Sequence, residues 1–433
     1  MRRRLLIAGA AAVIAAAALS LGNALRGGPG AGATPAPVAG EPVAAGTGSA
    51  QATVEHLQAG LRANPRDGHA YALLGVAYEQ RARETGDPTY FTKAGGALQR
   101  SLSLAPKDLV ATNGLGSLAL SRHRFREALA LGRKAHRLSP TTALTYGIVG
   151  DALVELGRYP AAFRAFETMA GLKPGLASYS RISYGRELLG QTEGAIQAMR
   201  FAVDAATSEA EPTAWTHWQL GKLYWSVGRI GAAEHEYRAA LAAFPGYVYA
   251  LDALAQVEAA RGHTARAVSL ERRAIDEIPL PQFVGLLGDL YRLDGRPPLA
   301  RRQYELVGVI QRLLVANGVK TDLETALFDV DHGIRLRHAL VLARRAEADR
   351  PSIDGDDVLA WALARNGRCG DALHWSRQAL RLGTRDALKL FHRGMIERCL
   401  GHDAAARSYL HGALALNPHF SIVWSPVARK VLG

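Results

Sequence analysis

From about residue 51 onward, apolar residues recur three and four positions apart in segments of roughly a dozen residues, the spacing that lines one face of an α-helix. The segments come in pairs. Leu220 and Tyr224 mark one helix, Ala233, Tyr237 and Ala240 mark the next, and Pro245 closes the pair. A closing proline returns at Pro65, Pro106, Pro140, Pro174, Pro279, Pro351 and Pro418. With Thr207, Leu313 and Thr384 in the equivalent slots, the steps are 33, 34, 38 or 41 residues, most often 34. A glycine stands before the second helix of many pairs, at Gly157, Gly228, Gly262, Gly295, Gly367 and Gly401. It supplies the left-handed residue that ends the first helix. The period predicts ten full helix-turn-helix units after a partial one, Val54 to Pro65, in an all-α array. No pair can bury its apolar face alone. Stacking removes that face from water at roughly 25 cal/mol per Å2, so the units are stable only as a run.

The pattern within each unit is more specific than its length. Counting from Ala214, position 4 is His217, positions 7 and 8 are Leu220 and Gly221, and position 11 is Tyr224; Ala233, Tyr237, Ala240 and Pro245 follow at 20, 24, 27 and 32. From Ala143 the same slots hold Tyr146, Val149, Gly150, Leu153, Ala162, Phe166, Met169 and Pro174. From Leu109 they hold Leu115, Gly116, Ala128, Ala135 and Pro140; from Gly68 the first helix matches with Tyr71, Leu74, Gly75 and Tyr78, before an insertion near Thr85 to Tyr90. This resembles the tetratricopeptide-repeat (TPR) family over residues 51–418. Only His217 departs from the pattern in the repeat from Ala214. The units starting near Lys320 and Ile353 are divergent but keep the register through Ala339, Ala346 and Pro351, then Gly367, Ala372 and Ala379. The resemblance implies a TPR superhelical solenoid, with residues 419–433 as a C-terminal capping helix.

The resemblance also implies that positions 2, 5, 9 and 12 of each first helix face a concave groove, and these share one side of a 3.6-residue helix. In the repeat from Ala214 they are Trp215, Trp218, Lys222 and Trp225, beside Tyr184 and Tyr249 of the neighbouring repeats. Further along, the predicted groove holds Glu324, Phe328, Asp331, Asp354, Asp357, Trp361, Phe391, His392 and Met395. An aromatic stripe of this kind either anchors a partner or packs on itself if the superhelix closes tightly. Acidic and aromatic residues together suit a basic or amphipathic peptide. Some members of the family clamp a C-terminal carboxylate with Lys at position 5. Position 5 here holds no Lys, which argues against that mode.

Composition adds a location and removes some chemistries. Arg2, Arg3 and Arg4 precede an apolar run from Leu5 to about Leu21 and the small residues Gly22 to Ala24, so residues 1–24 read as a signal peptide or an N-terminal anchor. Residues 25–50, rich in Gly, Pro and Ala, read as a flexible linker. The chain is therefore expected to be exported to the cell envelope or beyond, with membrane association through the N-terminal segment. Its net charge of +13 is carried mostly by Arg. Exposed pairs such as Arg272 with Arg273, Arg301 with Arg302 and Arg344 with Arg345 offer an alternative function, binding an anionic envelope polymer or lipid. Two cysteines, Cys369 and Cys399, fall at the same edge of adjacent repeats and form a candidate disulfide in an exported chain. A metal site from these cysteines with His392 and His402 lacks the usual ligand spacing. The run Asp329, Val330, Asp331, His332 has no nucleophile or phosphate loop beside it. The expectation is a non-catalytic interaction scaffold for a protein or peptide, with no cofactor, metal or nucleic acid.

Overall fold

The computed structural model describes residues 50–206 and 210–433. The expected leader and the linker up to residue 49 lie outside them, and Ala50 opens the first helix. All regular structure among the described residues is helical. A single helix, α1 (Ala50–Ala63), precedes ten helical hairpins. These are α2 (Gly68–Thr85) with α3 (Thr89–Leu104), α4 (Leu109–Ser121) with α5 (Phe125–Leu138), and α6 (Ala143–Glu155) with α7 (Tyr159–Leu172). Next come α8 (Leu176–Leu188) with α9 (Thr192–Asp204), α10 (Ala210–Ser226) with α11 (Ile230–Ala243), and α12 (Val248–Ala260) with α13 (Thr264–Glu277). Then follow α14 (Pro281–Leu293) with α15 (Pro297–Ala316), α16 (Asp322–Asp331) with α17 (Leu336–Asp349), α18 (Ile353–Arg365) with α19 (Cys369–Ala379), and α20 (Ala387–Cys399) with α21 (Asp403–Leu416). A last short helix, α22 (Trp424–Leu432), ends the chain. No described helix is long and apolar enough to cross a membrane.

The small residue at position 8 makes each hairpin close. At Gly150, Gly221 and Gly288 an added Cβ would overlap the rings of Phe166, Tyr237 and Tyr304, the side chains at position 24 of the same units. First helices are buried on most sides, as in α6, where only a few residues keep contact with solvent. Second helices bury one stripe, such as Phe125, Ala128, Leu129, Gly132 and Ala135 of α5. The difference follows from position. A first helix is wedged between two neighbours and the interior of the superhelix, whereas a second helix lies on the outer wall.

The superhelix is wound tightly enough for its second turn to rest on its first. The Lys320 amide donates to the Arg122 carbonyl at 3.1 Å. His123 Nδ1 meets the Lys320 carbonyl at 2.8 Å, and the Ile353 amide donates to the Tyr159 hydroxyl at 2.7 Å. Thr384 Oγ1 donates to the Leu188 carbonyl, and Asn417 Nδ2 donates to the Trp225 carbonyl at 2.9 Å. The partners in the last four of these bonds are 197, 194, 196 and 192 residues apart, so one turn takes between five and six repeats. Three of the acceptors are carbonyls at or just beyond the C-terminal end of a first helix, groups that the helix itself leaves unsatisfied. The turn between repeats, one circuit later, caps them.

The glycines record the same seam. Gly157 and Gly190 have φ of +68° and +71°, and a Cβ at either would collide with the carbonyl of Pro351 or Gly383 from the next turn. At Gly262, Gly295, Gly367 and Gly401 the backbone is equally left-handed but nothing lies within 4 Å. His123, φ 56°, holds the equivalent slot after α4 without being glycine. Its bond across the seam sustains a conformation that side chains rarely adopt.

Candidate functional site

Because the turns meet, the inner face becomes an interior, and the charged residues of the groove stripes are buried in it. Arg350 pairs with Glu155 of the first turn and, at 3.2 Å, with Glu324 of its own. Arg181 donates twice to Asp151, at 2.9 and 2.6 Å. Lys389 lies between Asp354 at 2.9 Å and Asp386 at 2.6 Å. Burial lifts the Glu324 carboxyl to about 7 in spite of Arg350, and it raises Glu155 as well. Burial, with the Arg350 charge adding to it, holds His123 down to about 3. The contact between Nδ1 and the Lys320 carbonyl requires the tautomer that carries its proton on Nδ1. Along this wall Asp151, Glu155, Glu324, Asp331, Asp354 and Asp357 are buried with Arg181, Arg350 and Lys389, and Glu187, Asp252 and Lys222 are half-buried.

The predicted aromatic stripe divides in two. Tyr184, Trp225, Phe328 and Trp361 are withdrawn into the packing, each 5% exposed or less, so the open stripe expected there is replaced by self-packing. Phe328 sits among Tyr304 and His332, with ring centres 5.8 and 4.2 Å away. Trp361 stacks on His392 at 4.5 Å and donates its Nε1 to Asp331 at 2.8 Å. The C-terminal segment completes this end. Trp424 also donates to Asp331, at 3.1 Å, and packs 5.5 Å from Trp361 and 5.4 Å from Phe391. The chain's own tail thus covers the last part of the second turn's inner face.

Trp215, Trp218, Lys222 and Tyr249 stay half-buried. The rings of Trp218 and Tyr249 are 5.0 Å apart, and the Lys222 ammonium lies 4.7 Å from the Trp218 ring centre. Beside them, Ser180, Tyr184, Glu187, Trp215, Gln219 and Lys222 line a cavity of about 20 Å3. That volume holds about one water molecule, so a larger ligand would lie across the rings and not inside the wall. Burial lifts Glu187 to about 7 and lowers Lys222 to about 8, each opposed by the charge of the other. One repeat on, Glu271 takes position 24, where Phe166, Tyr237 and Tyr304 stand elsewhere. Burial pushes Glu271 well above the carboxylate range, with neighbouring Asp252 adding to it, and burial lifts Asp252 to about 7.

The remaining candidates are absorbed into structure. A disulfide joins Cys369 to Cys399, with Cα atoms 6.1 Å apart, and so staples α19 to α20. His392 faces Asp357 and His402 faces Glu397. Asp329 pairs with Arg335 and His332 with Asp289, so the Asp329–His332 run is spent on packing. The described residues hold no group of three or more potential metal ligands. Arg272, Arg273, Arg301, Arg302, Arg344 and Arg345 are exposed on the outer helices α13, α15 and α17. The sequence did not reveal Glu155, Tyr159, His123 and Arg350 as partners across the turns. The signal was there in two forms, charges on stripes that have to be buried and a histidine in a glycine slot.

The sequence profile of the tetratricopeptide repeat matches residues 219–280, from the middle of α10 to just past α13. The same hairpin recurs along the whole described chain. The chain is a tetratricopeptide-repeat protein. A stretch of 163 residues, 37% of this TPR protein, is 28% identical to anaphase-promoting complex subunit 7 of Arabidopsis thaliana and spans 28% of that relative's length. Among solved structures, the Cut9 and Hcn1 hetero-tetramer of the APC/C overlaps 89% of this chain and 93% of its own matched chain at 13% identity, with a TM-score of 0.37. The human IFIT1 dimer with m7Gppp-AAAA overlaps 77% of each chain at 14% identity, with a TM-score of 0.49.

Proposed function

We propose that this TPR protein is a non-catalytic scaffold that binds a protein or peptide across the inner face of α8, α10 and α12. One observation carries the reading: Tyr184, Trp225, Phe328 and Trp361 of the predicted stripe are buried, whereas Trp215, Trp218 and Tyr249 keep part of their faces in solvent. Aromatic rings held half-open on rigid helices are the usual anchors of an interface. The cationic and apolar start of the sequence, and a disulfide of the kind favoured in oxidising compartments, support a site of action at the cell envelope or outside the cell. Affinity capture from envelope extracts with the wild type and a Trp215→Ala, Trp218→Ala variant tests it. Partners retained by the wild type should be lost with the variant, and equal recovery would end this assignment. A second reading is favoured by the outer arginines. Binding of anionic polymer or lipid by Arg272, Arg273, Arg301 and Arg302 should weaken steeply between low and high salt, while aromatic anchoring should not.

A further inference from the structure

The half-open face already holds a cation, and that cation is the protein's own. Lys222 reaches over Trp218, whose ring packs against Tyr249, and it lines one small cavity together with Trp215. Glu187, from α8, and Asp252, from α12, both act on its charge from flanking repeats. Neither makes a salt bridge with it among the described residues. Two acids that burial leaves only partly ionised near neutral pH, together with aromatic faces, therefore flank one ammonium that is not locked to either acid.

We propose that Trp215, Trp218 and Tyr249, backed by Glu187 and Asp252, form a cage for a cationic side chain of the partner peptide, and that Lys222 is an internal competitor for that cage. The inference rests on the groove reading above and adds the chemistry of the ligand. Aromatic faces attract an ammonium or guanidinium through the ring quadrupole. The acids behind the rings disfavour an anionic group. A shift of the flexible Lys222 stem is enough to free the ring for another cation.

The test uses the full chain and four acetylated, amidated pentapeptides, Ala-Leu-X-Leu-Ala with X as Arg, Lys, Gln or Glu, titrated by tryptophan fluorescence. The Arg and Lys peptides should bind, Gln more weakly and Glu least. Lys222→Met should tighten the Arg peptide about fivefold by removing the competitor. Glu187→Gln with Asp252→Asn should weaken it about tenfold, and Trp218→Leu should abolish the difference between Arg and Gln. Circular dichroism spectra matching the wild type establish that each variant is folded. Equal binding of all four peptides would overturn the cage and leave the groove reading standing. Weaker binding by Lys222→Met would show that Lys222 is a contact and not a competitor, which also overturns it. Absence of binding by any peptide would remove both.

Discussion

At the scale of single residues, glycines in identical conformations have different reasons to be glycine. Gly157 and Gly262 are both left-handed and both end a first helix, but only Gly157 lies under the next turn. Gly262→Ala should cost about 1 kcal/mol, the penalty of a Cβ in that backbone region. Gly157→Ala should cost about 2–4 kcal/mol, since the methyl group also has to push Pro351 away. Urea unfolding of the two variants measures the difference, and equal losses would mean that the seam carries no weight. Arg350 makes the complementary point about charge. Its guanidinium is held above its usual range by Glu155 and Glu324 in spite of burial. Removing it would strand two buried acids, whereas no neighbour would be stranded by the loss of an exposed arginine such as Arg301.

At the scale of helices, what could be read in advance was whatever repeats. Gly221 with Tyr237 and Gly150 with Phe166 have fixed spacing because a ring has to fill the space a missing side chain leaves, so hairpin and register were visible in the letters. The burial of Tyr184, Trp225, Phe328 and Trp361 was not, because it depends on how far each unit rotates against the next. That rotation is a sum of small packing angles with no single residue behind it. The tail shows the same limit. Helix α22 covers an apolar end, but Trp424 also reaches Asp331 and Trp361 inside the groove. Truncation after residue 418 should therefore do more than fray one helix. Leaving Trp361 and Phe391 without cover should lower the melting temperature and raise binding of an apolar dye, against which an unchanged dye response would count. Reducing the disulfide should loosen the same end by about 3 kcal/mol, read as a lower urea midpoint.

At the scale of the whole molecule, the interior sets a pH dependence. Glu79, Glu187, Asp252 and Glu324 are each lifted by burial to about 7. Their ordinary values are 4.5, and 3.8 for Asp252, so the folded state binds their protons more tightly than the unfolded chain does. Stability should then increase as the pH falls from about 8 to about 6.5, and be lost as it rises through 7. His123, held near 3 against an ordinary 6.5, opposes this only below about 6.5. Lys222, lowered to about 8, has completed most of its change above that pH. Melting curves at about pH 6.5 and about pH 8 should differ by about 1–3 kcal/mol in favour of the lower pH. The seam has a further effect, and it concerns time. A simple repeat array satisfies each unit as soon as the next one is made. Here Tyr159 has to wait for Ile353, 194 residues later, which is about 10–40 s of synthesis. Until then the growing chain carries an unclosed acidic and aromatic surface, and its last repeats decide when its first ones are finished.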